Sequence, residues 1–192
     1  MVPTTKTVTR HGAASEDVYS TEFDRRRIYL TGEIHDGMAS DIRAQINHLS
    51  SISKEDITLI IDSPGGSVTA GLGIYDTMKT CGCDVSTVVI GIAASMGAIL
   101  ASSGTKGKRY IGRNAEFMIH QPLGGVSGQA SDIERSAKHI IKTKQKLNRV
   151  LAENTGKDIE TIANDCDRDC YLGAEESIRY GLCDAYFDGF CT

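Results

Sequence analysis

The sequence predicts an α/β domain with both faces of its sheet covered, and three observations carry that expectation. Short β-branched runs alternate with segments whose apolar residues recur every three or four positions. Glycine, 20 of 192 residues, is in excess of the usual ~7% and gathers where those runs pass into helical segments. The composition, 40% hydrophobic and 24% charged with a net charge of −4, is that of an ordinary globular chain. A chain of 192 residues buries one full core without staples, so disorder over most of it is excluded. The mild negative charge also leaves no electrostatic footprint for nucleic acid; Arg25-Arg26-Arg27 and Lys106-Gly107-Lys108-Arg109 read as solvated faces.

Residues 1–20 are Thr-rich and without periodicity, and read as a flexible N-terminal arm ahead of a single domain over 21–192. Ile28-Tyr29-Leu30 is a strand before a turn at Gly32; Met38, Ile42, Ile46 and Leu49 then share one helical face. The strand Ile57–Ile61 runs into Ser63-Pro64-Gly65-Gly66, and Val68, Leu72, Tyr75 and Met78 mark a second helix with Ser67 as its N-cap. From Val85 to Thr105 there is no charge, a length that would span a bilayer. Serines, threonines and glycines interrupt it, however, so it reads as a buried strand from Val85 to Ile90, a turn, and a helix from Met96 to Ala101. No membrane segment is expected.

Two short strands follow, Lys108–Ile111 and Glu116–Ile119, the second ending at His120. Beyond the turn residues Gln121–Gly125 comes the longest helix, opened by the capping-box spacing Ser131-Asp132-Ile133-Glu134 and stopped at Gly156. Short helices are expected around Ile159 and Ile162 and from Ala174 to Tyr180, where Gly181 suits a C′ position. The six cysteines, Cys81, Cys83, Cys166, Cys170, Cys183 and Cys191, lack zinc-ribbon or zinc-finger spacing, and the N-terminus has no apolar signal region. Free thiols, a cytoplasmic location and no metal or cofactor are therefore expected.

Three places could carry chemistry. Ser95 stands where a buried strand meets a helix, among Ala93, Ala94, Gly97 and Ala98, so its hydroxyl sits beside the unpaired donors of a helix start; the alternative is a simple helix cap. A serine needs a base, and of the histidines His120 is held most rigidly, closing Phe117-Met118-Ile119 and preceding Gln121-Pro122; a structural histidine is the alternative. The orienting carboxylate stays open among Asp165, Asp167 and Asp169. Ser63-Pro64-Gly65-Gly66-Ser67 is a tight turn, an oxyanion or substrate-strand site, or a phosphate cradle, the last disfavoured because no Gly-Lys-Ser/Thr follows.

Taken together, Asp62–Gly71, Gly91–Ala98, Lys106–Tyr110, Met118–Gly125 and Asp167-Arg168-Asp169 resemble, in order and spacing, the family of Clp protease proteolytic subunits (ClpP). The resemblance runs from about Ile28 to Asp184. It implies a ClpP/crotonase-like fold, a compact head with a projecting strand-helix handle at about 121–153. It implies a serine endopeptidase with Ser95 as nucleophile, His120 as general base and Asp169 as the carboxylate that fixes the imidazole, with the N–H groups of Gly66 and Met96 as oxyanion hole. An unfolded polypeptide would lie extended between Gly66-Ser67-Val68 and Leu123-Gly124-Gly125. Heptameric rings would stack into a tetradecamer through Asp167 and Arg168 and receive substrate from an AAA+ unfoldase of the ClpX, ClpA or ClpC type.

The chain also departs from that pattern. Ile60, Thr80 and Gly112 stand where larger or aromatic residues commonly line the ATPase docking pocket. Residues 2–16 are unusual, and Asp62 replaces a common Asn, which leaves open how the oxyanion loop is supported. These departures suggest a paralogue that docks an unfoldase poorly alone and works beside a second ClpP subunit. A non-catalytic ring subunit is the alternative function, and a crotonase-like acyl-CoA enzyme a more distant one.

Overall fold

The computed structural model describes residues 3–9 and 12–190. Strands β3 (Arg27–Thr31), β4 (Ile57–Ser63), β5 (Val85–Ala94), β6 (Arg109–Ile111) and β9 (Ala185–Tyr186) lie side by side in that order, all parallel. The long β5 serves two neighbours: Thr87–Val89 pair with β6, whereas Ile92–Ala94 pair with β7 (Glu116–Ile119). An antiparallel strand, β8 (Cys170–Gly173), adds to β7.

Parallel strands need crossovers that cover the sheet, and their sequences show it. In β4, Ile57, Leu59, Ile60, Ile61 and Ser63 are all buried, a nearly continuous run where a half-exposed strand would alternate. Helix α2 (Asp36–Ile52) lays Ala39, Ile42, Ile46 and Leu49 on the core, the spacing its sequence predicts, and α3 (Val68–Thr80) packs against it. Ser67 caps α3 as expected, its Oγ accepting from the Ala70 N–H at 3.3 Å. Helix α4 (Met96–Ser102) is buried along its whole length. The long α5 (Ala130–Thr155) is buried only toward its C-terminal end, at Leu147, Asn148, Val150, Leu151 and Ala152, so its first half projects. It ends at Gly156, and α7 (Ala174–Tyr180) ends at Gly181; both glycines take the left-handed conformation that such ends require. Helix α6 (Ile159–Asp165) buries Ile162.

Four expectations need correction. The arm is not devoid of regular structure: β1 (Thr4–Thr9) and β2 (Gly12–Asp17) form an antiparallel hairpin, and α1 (Val18–Asp24) follows, capped by Asp17, so the expected boundary at residue 20 falls inside a helix. Threonine-rich chain suits paired strands even where no apolar alternation advertises them. Ser131 does not cap α5; the helix starts two residues earlier, with Gln129 at the N-cap and no side-chain cap bond. Residues 121–129 form no strand, because no neighbouring strand lies beside them to supply a ladder, and the handle is α5 with an extended lead. Strands β8 and β9 were unanticipated. Among the described residues no helix is long and apolar enough to cross a membrane.

Candidate active site

The site is assembled at the C-terminal ends of β4, β5 and β7. Between Ile61 and Ser63 the β4–β5 register shifts from Ile61↔Val89 to Ser63↔Ala93, so β5 carries two extra residues there. Such a bulge bends a strand and re-aims the residues beyond it. Gly91, at φ +85°, makes the bend, and a Cβ there would sit 2.5 Å from Asp62 Oδ1. That oxygen accepts from the Ile92 N–H at 3.2 Å, so Asp62 braces the bulge.

Ser95 comes next, with φ 53° and ψ −119°; besides Arg26 it is the only described non-glycine residue at positive φ. Its side chain makes no cap bond, which removes the helix-cap alternative. Its Oγ instead lies 2.9 Å from His120 Nε2, and its N–H is held by the Met118 carbonyl at 2.8 Å. His120 Nδ1 lies 3.0 Å from Asp169 Oδ1. The imidazole is 12% exposed, the Asp169 side chain 59%.

The register explains the meeting. β7 and β8 pair Ile119 with Cys170, so one further step outward sets His120 opposite Asp169. Asp165 and Asp167 bond elsewhere: Asp165 Oδ2 accepts from the Tyr180 hydroxyl at 2.6 Å, and the Asp167 carbonyl and Oδ1 accept from Gln121 Nε2 at 2.8 and 3.4 Å. Gln121 also donates its backbone N–H to the Cys166 carbonyl at 2.7 Å and accepts from Lys144 Nζ at 2.9 Å. It thereby ties the residue after His120 to the segment that carries Asp169.

Beside Ser95 runs the Pro-Gly-Gly turn. Gly65 and Gly66 have φ +98° and +144°; a Cβ on Gly65 would be 2.7 Å from Ser95 Cβ, and one on Gly66 only 2.3 Å from the Ile34 carbonyl oxygen. The turn is pinned on both sides of Gly66, with Ile34 N–H donating to Gly65 O and Ser67 N–H to Ile34 O, each at 2.8 Å. Ser63 adds a brace, its Oγ donating to Gly32 O at 2.7 Å and accepting from Gly65 N at 3.1 Å. Support therefore comes from Ile34 and Ser63 as well as Asp62. Among the described residues neither the Gly66 nor the Met96 N–H has an acceptor within the chain, which leaves two donors beside Ser95.

Val68 and Met96 line the cleft with Ser95 and His120, above Ile99, Leu147 and Asn148. A groove of about 510 Å³ continues from it between α3 and α5, past Leu72, Pro122, Leu123 and Ile140. Leu123 is 86% exposed, and Gly124 packs near Ile140. Ser67 is occupied as a cap, so its contribution to the groove is backbone. Asp167 and Arg168 lie outside the cleft, facing solvent, with 3.9 Å between Arg168 Nε and Asp167 Oδ2. Close to the acid, burial pushes the Cys166 thiol up to about 12, helped by Cys170 and Asp165. That thiol is inert at neutral pH. Sequence reasoning assigned no role to Ile34, Ser63 or Gln121; Ile34 acts through its backbone, and the Ser63 and Gln121 side chains act chiefly on backbone groups of distant segments, which leaves no local signature.

The Clp protease family model matches residues 10–188. An ATP-dependent Clp protease proteolytic subunit of Ligilactobacillus salivarius (strain UCC118) is 48% identical over 185 residues, which cover 96% of this chain and 94% of that relative. With the family model spanning nearly the whole α/β domain, the chain belongs to the Clp protease family.

Proposed function

We propose that this chain is the peptidase subunit of an ATP-dependent Clp-type protease, with Ser95, His120 and Asp169 as its catalytic residues. The observation that carries the reading is the pair of contacts on one imidazole, 2.9 Å to Ser95 Oγ and 3.0 Å to Asp169 Oδ1. Asp169 holds a proton on Nδ1, which leaves Nε2 free to take the Ser95 proton as the hydroxyl attacks a peptide carbonyl. The resulting oxyanion is received by the N–H groups of Gly66 and Met96, donors of a kind worth about 10²–10³ in rate each. His120 then passes its proton to the leaving amine, and water releases the acyl group by the same steps reversed.

Substrate is an unfolded polypeptide lying extended along Gly66-Ser67-Val68 on one side and Leu123-Gly124 on the other. Main-chain pairing supplies affinity there, so sequence preference is broad. Apolar side chains left uncovered on the single chain, Leu123, Ile141 and Ile52 at 86%, 54% and 65% exposure, support assembly with further copies into rings. Asp167 and Arg168, exposed at the base of the handle, are the residues we assign to contact between rings.

ATP is used by a partner AAA+ unfoldase, since the chain carries no nucleotide motif. Ile60, Thr80 and Gly112 leave the surface that would receive the unfoldase short of side chains the family commonly carries, and on that departure rests a division of labour with a second ClpP subunit, while Tyr110, Tyr186, Phe187 and Phe190 still line a groove of about 460 Å³ beside Thr58 and Val88. The test is hydrolysis of a short fluorogenic peptide by the purified, sized protein. Turnover that disappears in Ser95→Ala with assembly intact supports the peptidase; an intact assembly with no turnover makes the chain a non-catalytic ring subunit.

A further inference from the structure

At the other end of β5, away from the cleft, Cys81-Gly82-Cys83 joins α3 to that strand. Cys81 is the C-cap of α3, and Gly82, at φ +75°, turns the chain so that both side chains return to one side. Their Sγ atoms lie 3.8 Å apart, and among the described cysteines this is the only pair in such contact. A bond of about 2.05 Å requires the two sulfurs to close that gap. Cys81 and Cys83 are partly exposed, whereas Cys166 and Cys183 are buried. Lys54 overlies the turn, its Nζ 3.2 Å from where a Gly82 Cβ would stand.

We propose that Cys81 and Cys83 form a redox-active dithiol, a modification site remote from Ser95 that closes to an intrachain disulfide by exchange with a low-molecular-weight disulfide. The Cys81 thiolate attacks one sulfur of the small disulfide; its S–S bond breaks, one small thiolate leaves and takes up a proton, and Cys81 carries the mixed disulfide. The Cys83 thiolate then attacks the Cys81 sulfur and expels the second small thiolate. Two protein thiols are oxidised, and the small disulfide is reduced to two thiols. Burial and the Cys81 sulfur raise the Cys83 thiol above its ordinary range, against the pull of Arg26 and Lys54, which suits Cys83 to the second step. The bond ties the last turn of α3 to the entry of β5 and is independent of the acyl-transfer chemistry.

The fully reduced, assembled protein is incubated with oxidised glutathione, alkylated and digested with trypsin, using reduced thioredoxin as reference dithiol. The peptide Thr80–Lys106 contains Cys81 and Cys83 and no other cysteine. It is expected to become lighter by two hydrogens and resistant to alkylation, to recover with dithiothreitol, and to do so at least tenfold faster than any bond forms at Cys166 or Cys183. In Cys83→Ser the same peptide accumulates glutathione on Cys81. A peptide still doubly alkylated when thioredoxin is fully oxidised overturns the proposal. So does glutathione on both cysteines without an internal bond, or a folded Cys83→Ser protein that gathers no adduct.

Discussion

Ser95 is held in a conformation that side chains avoid. A positive φ at a non-glycine residue costs about 1–3 kcal/mol, and here the Met118 carbonyl and the abutting Gly65 keep it in place. Ser95→Gly is therefore expected to raise stability by about 1 kcal/mol while abolishing peptide hydrolysis, read from a denaturant midpoint and an initial rate on one preparation. Asp169→Asn keeps the hydrogen-bonding shape but favours the wrong imidazole tautomer. Its kcat is expected to fall by about 10³–10⁴ with little change in KM; a kcat within tenfold of the parent would remove Asp169 from the triad. Ser95 and His120 were legible as a serine at a strand–helix junction and a histidine closing an apolar strand. Asp169 was not legible from spacing alone. Asp165, Asp167 and Asp169 look alike locally, and only the Ile119↔Cys170 register, which a four-residue strand with no visible period conceals, separates them.

At the scale of elements, the site depends on a bulge and a turn that bring three strand ends together. The turn cannot hold a side chain at Gly66, where a Cβ would come within 2.3 Å of the Ile34 oxygen. Gly66→Ala must move the loop away from Ser95, and peptide hydrolysis should drop at least about 10²-fold, as for loss of an oxyanion donor. Reaction with a fluorophosphonate should slow in parallel, while the circular dichroism spectrum stays that of the parent. The helices were the most legible elements, because α2 and α3 display their buried faces at helical spacing. The handle was half legible: α5 announces itself over 26 residues, but a strand needs a partner, and residues 121–129 have none within one chain. The hairpin of β1 and β2 was hidden for a related reason, since its threonine-rich sequence shows no apolar alternation to announce the pairing.

At the scale of the whole molecule, one buried ion pair ties the C-terminal segment to the core. Arg109 is 3% exposed and donates to Ser102 O, Asn154 O and Gly181 O as well as to Asp184, so it joins α4, α5, the end of α7 and the start of β9. Asp184→Asn leaves that guanidinium buried without its counter-charge and is expected to cost about 3–5 kcal/mol in denaturant unfolding. Burial alone would raise the Asp184 carboxyl, but its bonds to Arg109 outweigh that and hold it below the usual carboxylate range. Its contribution is therefore complete above the ordinary carboxylate pKa and is lost as pH falls through the lowered folded value. The parent's stability should decline on acidification across that window, and Asp184→Asn should decline less steeply. The measurement that most directly tests the peptidase assignment is fluorophosphonate labelling of the assembled protein, followed by mapping of the adduct. A single adduct on Ser95, lost in Ser95→Ala and much slower to form in His120→Ala, is predicted; a folded, assembled protein that takes no label, or takes it at another residue, would contradict it.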